Sequence, residues 1–266
     1  MGTMPAWLEA IILGLIQGLT EFIPISSSGH LVIAQYLFGG GGDHLFLEFI
    51  NIGTMLALLV FFRKKIWKIL VDITKNRNYR LARNILITAL PAGVAGFLLA
   101  GFIEETPFFT SAVVVVFTLA IVGVVMVVLE KLPKLSPMKD GEKLPWWRAL
   151  IIGGAQVLAL IPGTSRSGST IIAGRFMGLS AAEAAEYSFL ASLPIMAGVT
   201  LKVLLTDSDY LMSHFGTLAL ANFFAFASGL LAVGFLMKFL SKHSLAVFGW
   251  YRIGLALVLA TILLVQ

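Results

Sequence analysis

The sequence predicts an all-α polytopic membrane protein with six transmembrane helices and two re-entrant helical hairpins, arranged as an inverted-topology repeat. Of its 266 residues, 58% are hydrophobic and only 12% are charged, and the mean hydropathy is +0.94. That composition is typical of a polytopic membrane protein and argues against a soluble domain. Because the chain has no cysteine, a disulfide framework and a zinc–thiolate site are both excluded. The net charge of +5 does not indicate a nucleic-acid partner, since the basic residues cluster in particular loops.

Those basic clusters predict the topology. The segment 63–83 holds eight Lys and Arg residues, and the segment 131–148 holds five. Both segments are expected in the cytoplasm, because short cytoplasmic loops of membrane proteins are enriched in positive charge. The turns at 104–105 and 207–209 contain acidic residues without Lys or Arg, so they are expected outside. With these loops fixed, both chain termini are predicted to lie outside.

Six apolar runs are long enough to cross a bilayer core, which needs about 20 residues. They predict transmembrane helices at about 45–62, 84–103, 110–129, 184–205, 216–238 and 245–265. The segments 6–25 and 29–39 precede a span that must begin outside, so they are predicted to form a hairpin that enters the membrane and returns. Residues 148–178 are predicted to form a second hairpin that enters from the cytoplasm. Irregular backbone of this kind is tolerated at membrane depth only where protein or a polar cavity surrounds it.

The two hairpins are similar in sequence. At a constant offset of 139, 8 of the 21 positions from 14 to 34 are identical to positions in the second hairpin. Average composition would give roughly two. Because each half carries three spans, the second copy is predicted to be inverted, with the hairpin tips meeting near the midplane. The chain is therefore expected to be a single membrane domain, 1–266, with repeats at about 1–130 and 146–266 joined by a cytoplasmic loop, 131–145.

Ionisable residues mark the first hairpin tip. Glu21 and His30 lie between apolar runs, where an unpaired charge is costly, so both are candidate functional residues. Gln17 and Glu21 are four residues apart and share one helix face, and Pro24 is expected to end that helix. The small residues that follow place free backbone N–H groups and hydroxyls at the start of a second helix, which is an arrangement suited to phosphate. These residues are Ser26, Ser27, Ser28 and Gly29.

The second hairpin tip supplies a positively charged side chain. Where the first copy has Ser27, the second has Arg166, and Arg binds phosphate through a planar fork of donors. Two helix N-termini and one guanidinium in a low-dielectric cavity would make a strong anion site. The candidate phosphate-binding residues of this tip are Ser165, Ser167, Gly168 and Thr170.

The combined groups could carry out phosphoryl transfer. In the leading hypothesis Ser27 attacks the terminal phosphorus of a diphosphate and His30 takes the hydroxyl proton. Glu21 then orients His30 or holds a divalent cation beside Gln17, and Arg166 stabilises the charge on the phosphoryl group. A direct attack by water, with the serines only binding, is nearly as compatible with the sequence.

Structural alternatives exist for each residue. Serine and glycine in membrane helices commonly pack close helix interfaces. Glu21, His30 and Arg166 could form a buried network without chemistry, although three ionisable groups are expensive for packing alone. Arg175 lies near a predicted membrane end, where an interfacial or snorkelling side chain is expected. Because transporters are also built from inverted repeats with broken helices, a polyprenyl-phosphate transporter or flippase is the alternative function.

The segments Gln17–His30 and Pro162–Thr170 resemble the two signature motifs of the undecaprenyl-diphosphate phosphatases of the bacitracin-resistance (BacA/UppP) family. The resemblance covers essentially the whole chain. It implies an enzyme of the bacterial plasma membrane that hydrolyses undecaprenyl diphosphate to undecaprenyl phosphate and inorganic phosphate. That reaction recycles the lipid carrier for peptidoglycan synthesis and confers bacitracin resistance.

The resemblance also carries residue roles. It implies catalytic or metal-related roles for Glu21, a nucleophile at Ser27, a base at His30, and phosphate binding at Ser165, Arg166 and Thr170. It implies a divalent cation, Mg or Ca, and an active site open to the outer face. Gln17 stands where the family often has Glu, which keeps an oxygen ligand but loses a charge. The expected partners are the polyprenyl diphosphate lipid and the bilayer, and the sequence leaves both a monomer and a homodimer open.

Overall fold

The computed structural model describes residues 4–38, 43–132 and 141–265, and these residues form helices and short connections without a strand. Part of the predicted loop 131–145 and the end of the predicted segment 29–39 lie outside the described residues. The α-helices are α1 (Ala6–Phe22), α2 (Ser27–Leu37), α3 (His44–Phe61), α4 (Arg63–Thr74), α5 (Arg80–Leu98), α6 (Ala100–Glu105), α7 (Ala112–Leu129), α8 (Trp146–Val157), α9 (Arg166–Phe176), α10 (Ala181–Thr206), α11 (Ser208–Ser213), α12 (Phe215–Leu240) and α13 (Ala246–Val265).

Six helices in the described part of the chain are long and apolar enough to cross a membrane: α3, α5, α7, α10, α12 and α13. They correspond one to one with the six predicted spans, so the predicted class is confirmed. The second span begins four residues earlier and ends five residues earlier than predicted. It ends early because Leu99 departs from helical geometry and the chain restarts as α6. Between spans, α4 is a short helix rich in Lys and Arg, in the segment predicted to lie in the cytoplasm.

Glycines allow the motif-bearing helices α1 and α8 to approach their neighbours closely. Helix α1 packs along α12, where a Cβ at Gly14 would lie 2.3 Å from the carbonyl oxygen of Ala221. Helix α8 packs along α5, where a Cβ at Gly153 would lie 2.8 Å from the carbonyl oxygen of Thr88. Both distances are too short for a methyl group, so these positions need glycine, as is common in membrane helix pairs.

The two tips have the same local backbone. Helix α1 ends at Phe22, and the extended Ile23 precedes Pro24, as expected for a residue before proline. Ser26 then has φ 74°, and its counterpart Ser165 before α9 has φ 73°. Left-handed φ is uncommon for a residue with a side chain and costs on the order of 1–3 kcal/mol, so surrounding structure must hold both serines in place.

Candidate active site

The serines at positions 26 and 165 cap the helices that follow them. The Oγ of Ser26 accepts a hydrogen bond from the backbone N–H of Gly29 at 3.4 Å, and the Oγ of Ser165 accepts one from Gly168 at 3.1 Å. Each capping hydroxyl also lies near the serine two residues on, with oxygen–oxygen distances of 3.1 Å to Ser28 and 3.2 Å to Ser167. A serine N-cap satisfies one of the free N–H groups of a helix start and leaves others available.

The side chain of Glu21 joins the two tips. One carboxylate oxygen, Oε1, accepts a hydrogen bond from Nη2 of Arg166 at 2.6 Å. The other, Oε2, accepts from the Oγ of Ser27 at 2.7 Å and from Nε2 of Gln17 at 3.1 Å. The Glu21 side chain is 12% exposed and that of Arg166 is 21% exposed, so the ion pair is largely removed from solvent. The structure therefore brings a hydroxyl, a carboxylate and a guanidinium into direct contact.

Gln17 extends this network to the first span. Its Nε2 also donates to Oδ1 of Asn51 at 2.6 Å, and Gln17 itself is buried. Asn51 lies on α3 and becomes adjacent to Gln17 only because α1 packs on α3, so the sequence alone does not reveal this contact. The predicted sharing of a helix face by Gln17 and Glu21 is confirmed by their hydrogen bond.

His30 lies in the first turn of α2 but has other partners than expected. Its Nδ1 is 2.8 Å from the carbonyl oxygen of Ser26, and its Nε2 is 2.7 Å from the hydroxyl of Tyr251. Among the hydrogen bonds of the described residues, none joins His30 to Ser27 or to Glu21. The hypothesis that Glu21 orients His30 therefore differs from the structure: Pro24 turns the chain so that the Glu21 carboxylate meets the Ser27 hydroxyl, and the imidazole contacts α13 instead.

At the second tip, Ser167 and Thr170 make contacts with other protein groups. Ser167 donates from its Oγ to the backbone carbonyl of Glu21 at 3.3 Å, which ties the tips together. Thr170 is 1% exposed, and its hydroxyl lies 2.8 Å from the carbonyl oxygen of Arg166 and 2.5 Å from the Oγ of Ser188. Phosphate binding by Thr170 stays a prediction, and its observed contacts are to the protein.

Arg252, which the sequence analysis missed, holds the backbone of both tips. It is fully buried in α13, and its guanidinium donates to the carbonyl oxygens of Pro24 at 3.2 Å, Gly163 at 2.6 Å and Thr164 at 3.2 Å. A signal was available, because an arginine inside an apolar span is a functional hypothesis by default. Thr118 of α7 adds a hydrogen bond to the carbonyl oxygen of Pro162 at 2.6 Å.

Another prediction was wrong. Arg175 does not snorkel to a membrane surface: it is 5% exposed, donates to Glu130 at 3.0 Å, and also donates to the carbonyl oxygen of Leu179 at 2.9 Å. The carboxylate of Glu130 on α7 is close enough to pair with it, which makes burial of the charge tolerable.

The oxygen-rich part of the site has the donor chemistry that a hard divalent cation prefers. Glu21 and Gln17 offer carboxylate and amide oxygens, and Mg²⁺ sites commonly combine one or two such ligands with substrate phosphates. Within residues 4–38, 43–132 and 141–265, no three His, Asp or Glu side chains gather in a group that could hold a metal ion.

Comparison with known proteins covers almost the entire chain. Residues 10–258 match the family model described as bacitracin resistance protein BacA. The undecaprenyl-diphosphatase of Azotobacter vinelandii is 40% identical over 268 residues, covering 96% of this chain and 94% of that protein. The undecaprenyl-diphosphatase of Caulobacter sp. (strain K31) is 37% identical over 257 residues, covering 94% of this chain and 95% of that protein. The chain belongs to the bacitracin resistance protein BacA family.

Proposed function

We propose that this protein hydrolyses undecaprenyl diphosphate to undecaprenyl phosphate and inorganic phosphate in the bacterial plasma membrane. The reaction recycles the lipid carrier of cell-wall synthesis and removes the form of the lipid that bacitracin captures. Membership of a family whose relatives are named undecaprenyl-diphosphatase supports this assignment. The observation that carries it is the contact of the Ser27 hydroxyl and the Arg166 guanidinium with one carboxylate, Glu21.

In the proposed mechanism, Ser27 Oγ attacks the terminal phosphorus and its proton passes to Glu21, which already accepts its hydrogen bond at 2.7 Å. The bond between that phosphorus and the bridging oxygen breaks, and undecaprenyl phosphate leaves with the bonding electrons. Water then attacks the phosphoserine, releases inorganic phosphate and restores the hydroxyl. Direct attack by water, activated by Glu21, uses the same groups and leaves the serines to bind phosphate.

Arg166 and the start of α9 are proposed to bind the transferring phosphoryl group. In the described arrangement Nη2 of Arg166 is engaged by Glu21, while the rest of its guanidinium fork is available to a second anion. Donors fixed before the reaction stabilise developing charge at little reorganisation cost. Gly29, Gly168 and the serines beside them complete the proposed phosphate-binding set.

A divalent cation is proposed at Glu21 and the amide oxygen of Gln17. When bound there with the substrate diphosphate, it would neutralise phosphate charge and polarise the phosphoryl oxygens. The chain's own contribution is to orient the Glu21 carboxylate, which the hydrogen bonds from Gln17 and Ser27 do.

The architecture is proposed to be an inverted repeat, with units 1–130 and 146–266 and hairpins α1–α2 and α8–α9 that enter from opposite faces. Two local features support it: Ser26 and Ser165 have nearly equal φ angles, and they make equivalent capping hydrogen bonds. A third is the packing between units, in which α1 packs on α12 of the second unit and α8 packs on α5 of the first. The basic segments, which are expected in the cytoplasm, support a topology with the termini and the active site on the outer side. A homodimer is proposed as a possible assembly, without a residue assigned to its interface.

The contact between the Ser27 hydroxyl and the Glu21 carboxylate favours hydrolysis over the transport alternative. A transporter needs an arginine to bind phosphate but has no use for a hydroxyl placed on a carboxylate. Purified protein in nanodiscs should release inorganic phosphate from a long-chain polyprenyl diphosphate, and the rate should fall when a chelator is added. Ser27→Ala and Arg166→Ala should each lose the activity, whereas Ser213→Ala, in exposed α11, should keep it. Lipid binding by folded wild type without phosphate release would favour transport instead.

A further inference from the structure

Tyr251 makes a hydrogen bond to His30 across 221 positions of sequence. The hydroxyl of Tyr251 lies 2.7 Å from Nε2 of His30, and the two rings stack with centroids 5.7 Å apart and an angle of 6°. The imidazole is held on its other side by the carbonyl oxygen of Ser26, 2.8 Å from Nδ1. Both ring nitrogens of His30 are therefore engaged.

The contact with Ser26 defines the tautomer. A carbonyl oxygen can only accept, so Nδ1 of His30 must carry a proton and donate to Ser26. In the neutral ring Nε2 then has a lone pair, and Tyr251 donates its hydroxyl proton to it. If Nε2 takes up a proton, the same hydroxyl can rotate and accept, because a phenol oxygen does both.

The position of Tyr251 connects this contact with the rest of the site. It neighbours Arg252, whose buried guanidinium holds the carbonyl groups of Pro24 and Gly163. One turn of α13 therefore fixes both tips and the imidazole. Tyr251 is 47% exposed, so burial of its ring does not account for its place, and within the described part of the chain its hydroxyl bonds to His30.

We propose that Tyr251 is a positioning residue for the phosphatase reaction. Its hydroxyl holds Nε2 of the His30 imidazole at a fixed place beside the first tip, while the Ser26 carbonyl oxygen keeps the proton on Nδ1. The inference rests on the proposed function and on the prediction that His30 accepts a proton in the reaction. Without the hydroxyl, the ring can turn about its side-chain bonds and Nε2 loses that place.

The test is Tyr251→Phe, which keeps the stacked ring and removes only the hydroxyl. We expect kcat for phosphate release to fall roughly tenfold or more, with KM little changed, because the base loses its alignment while phosphate binding is kept. The control is Tyr79→Phe, an exposed tyrosine at the start of α5, which should leave both constants unchanged.

The second readout is the ¹⁵N spectrum of ring-labelled histidine, which reports the tautomer independently of activity. The chain has four histidines, so the His30 signals are assigned by their loss in His30→Gln. Wild type should show the Nδ1–H tautomer, and Tyr251→Phe should show a shifted Nε2 signal, because that nitrogen loses its hydrogen bond. An Nε2–H ring in wild type, an unchanged Nε2 signal in Tyr251→Phe, or an unchanged kcat would each overturn the inference. If Tyr251→Phe does not fold, the wild-type Nε2 signal still decides, because the shift of a free lone pair there would show that Tyr251 does not hold it. Absence of phosphate release by wild type would count against the proposed function and leave the tautomer result to be judged separately.

Discussion

Adjacent glycines of α8 allow the close packing under the second tip to be tested with a matched control. A Cβ at Gly153 would lie 2.8 Å from the carbonyl oxygen and 3.0 Å from the Cα of Thr88, while a Cβ at Gly154 has no heavy atom within 4 Å. Gly153→Ala and Gly154→Ala therefore make the same chemical change on the same helix, one against the backbone of α5 and one in open space.

The expected effects have opposite signs. Ala in place of Gly in a helix interior is worth roughly 0.5–1 kcal/mol, and Gly154→Ala should gain about that much. Gly153→Ala has the same gain in helix propensity, but its methyl group forces α8 away from α5. Overpacking of this kind costs about 1–3 kcal/mol in stability. The net difference between the variants is therefore about 1–3 kcal/mol. At roughly 2–4 °C per kcal/mol, it corresponds to a gap of roughly 2–12 °C in melting temperature.

The assay is thermal unfolding of both variants in the same detergent, followed by phosphate release. Gly153→Ala should melt below wild type and lose activity, because α8 carries the second tip. Gly154→Ala should melt at or above wild type and remain active. Equal melting temperatures for the two variants would refute the close approach of α8 and α5.

Further predictions concern charge. Glu21→Gln should lower the rate of phosphate release by about 10²–10⁴-fold, the usual effect of losing a general base. Glu9→Gln on the same helix should leave the rate unchanged. Equal rates for the two variants would show that Glu21 takes no part in the reaction. Arg252→Met leaves three buried carbonyl groups without a hydrogen-bond donor, at a cost of about 1–3 kcal/mol each. Folded protein should therefore be lost in size-exclusion chromatography, and a wild-type profile would contradict this structural role of Arg252. At the end of the molecule that is predicted to face the cytoplasm, hydrogen bonds from Lys65 and then Lys68 lower the pKa of Glu142. Its contribution is present above its ordinary pKa of 4.5 and is lost as pH falls through the lowered value. The melting-temperature gap between wild type and Glu142→Gln should therefore close in acid, and a gap that widens there would contradict the pairing.

Much of the fold could be predicted because the bilayer leaves few alternatives. Apolar runs near 20 residues must be helices, and clusters of Lys and Arg orient them. The end of α1 before Pro24 also follows from local chemistry, since proline restricts the residue before it. The helices and the end of α1 agree with the structure, and the orientation stays a prediction.

The contacts between side chains at the site could not be predicted in the same way. That Glu21 meets Ser27 depends on the turn at Ile23–Ser26, including the left-handed φ of Ser26, which no sequence pattern specifies for serine. The partner of His30 is Tyr251, and a tyrosine in a membrane helix gives no signal of its own. Asn51 becomes a partner of Gln17 only through the packing of α1 on α3.

The central claim is that the two hairpin tips form one phosphoryl-transfer site, and a double-mutant cycle on phosphate release tests it most directly. The cycle compares Ser27→Ala from the first tip, Arg166→Ala from the second and the double variant, with each protein checked for folding. Groups that act together in one site are strongly non-additive, so the double variant should lose little more than the more damaged single variant. Losses that multiply, as expected for two independent sites, would contradict the account.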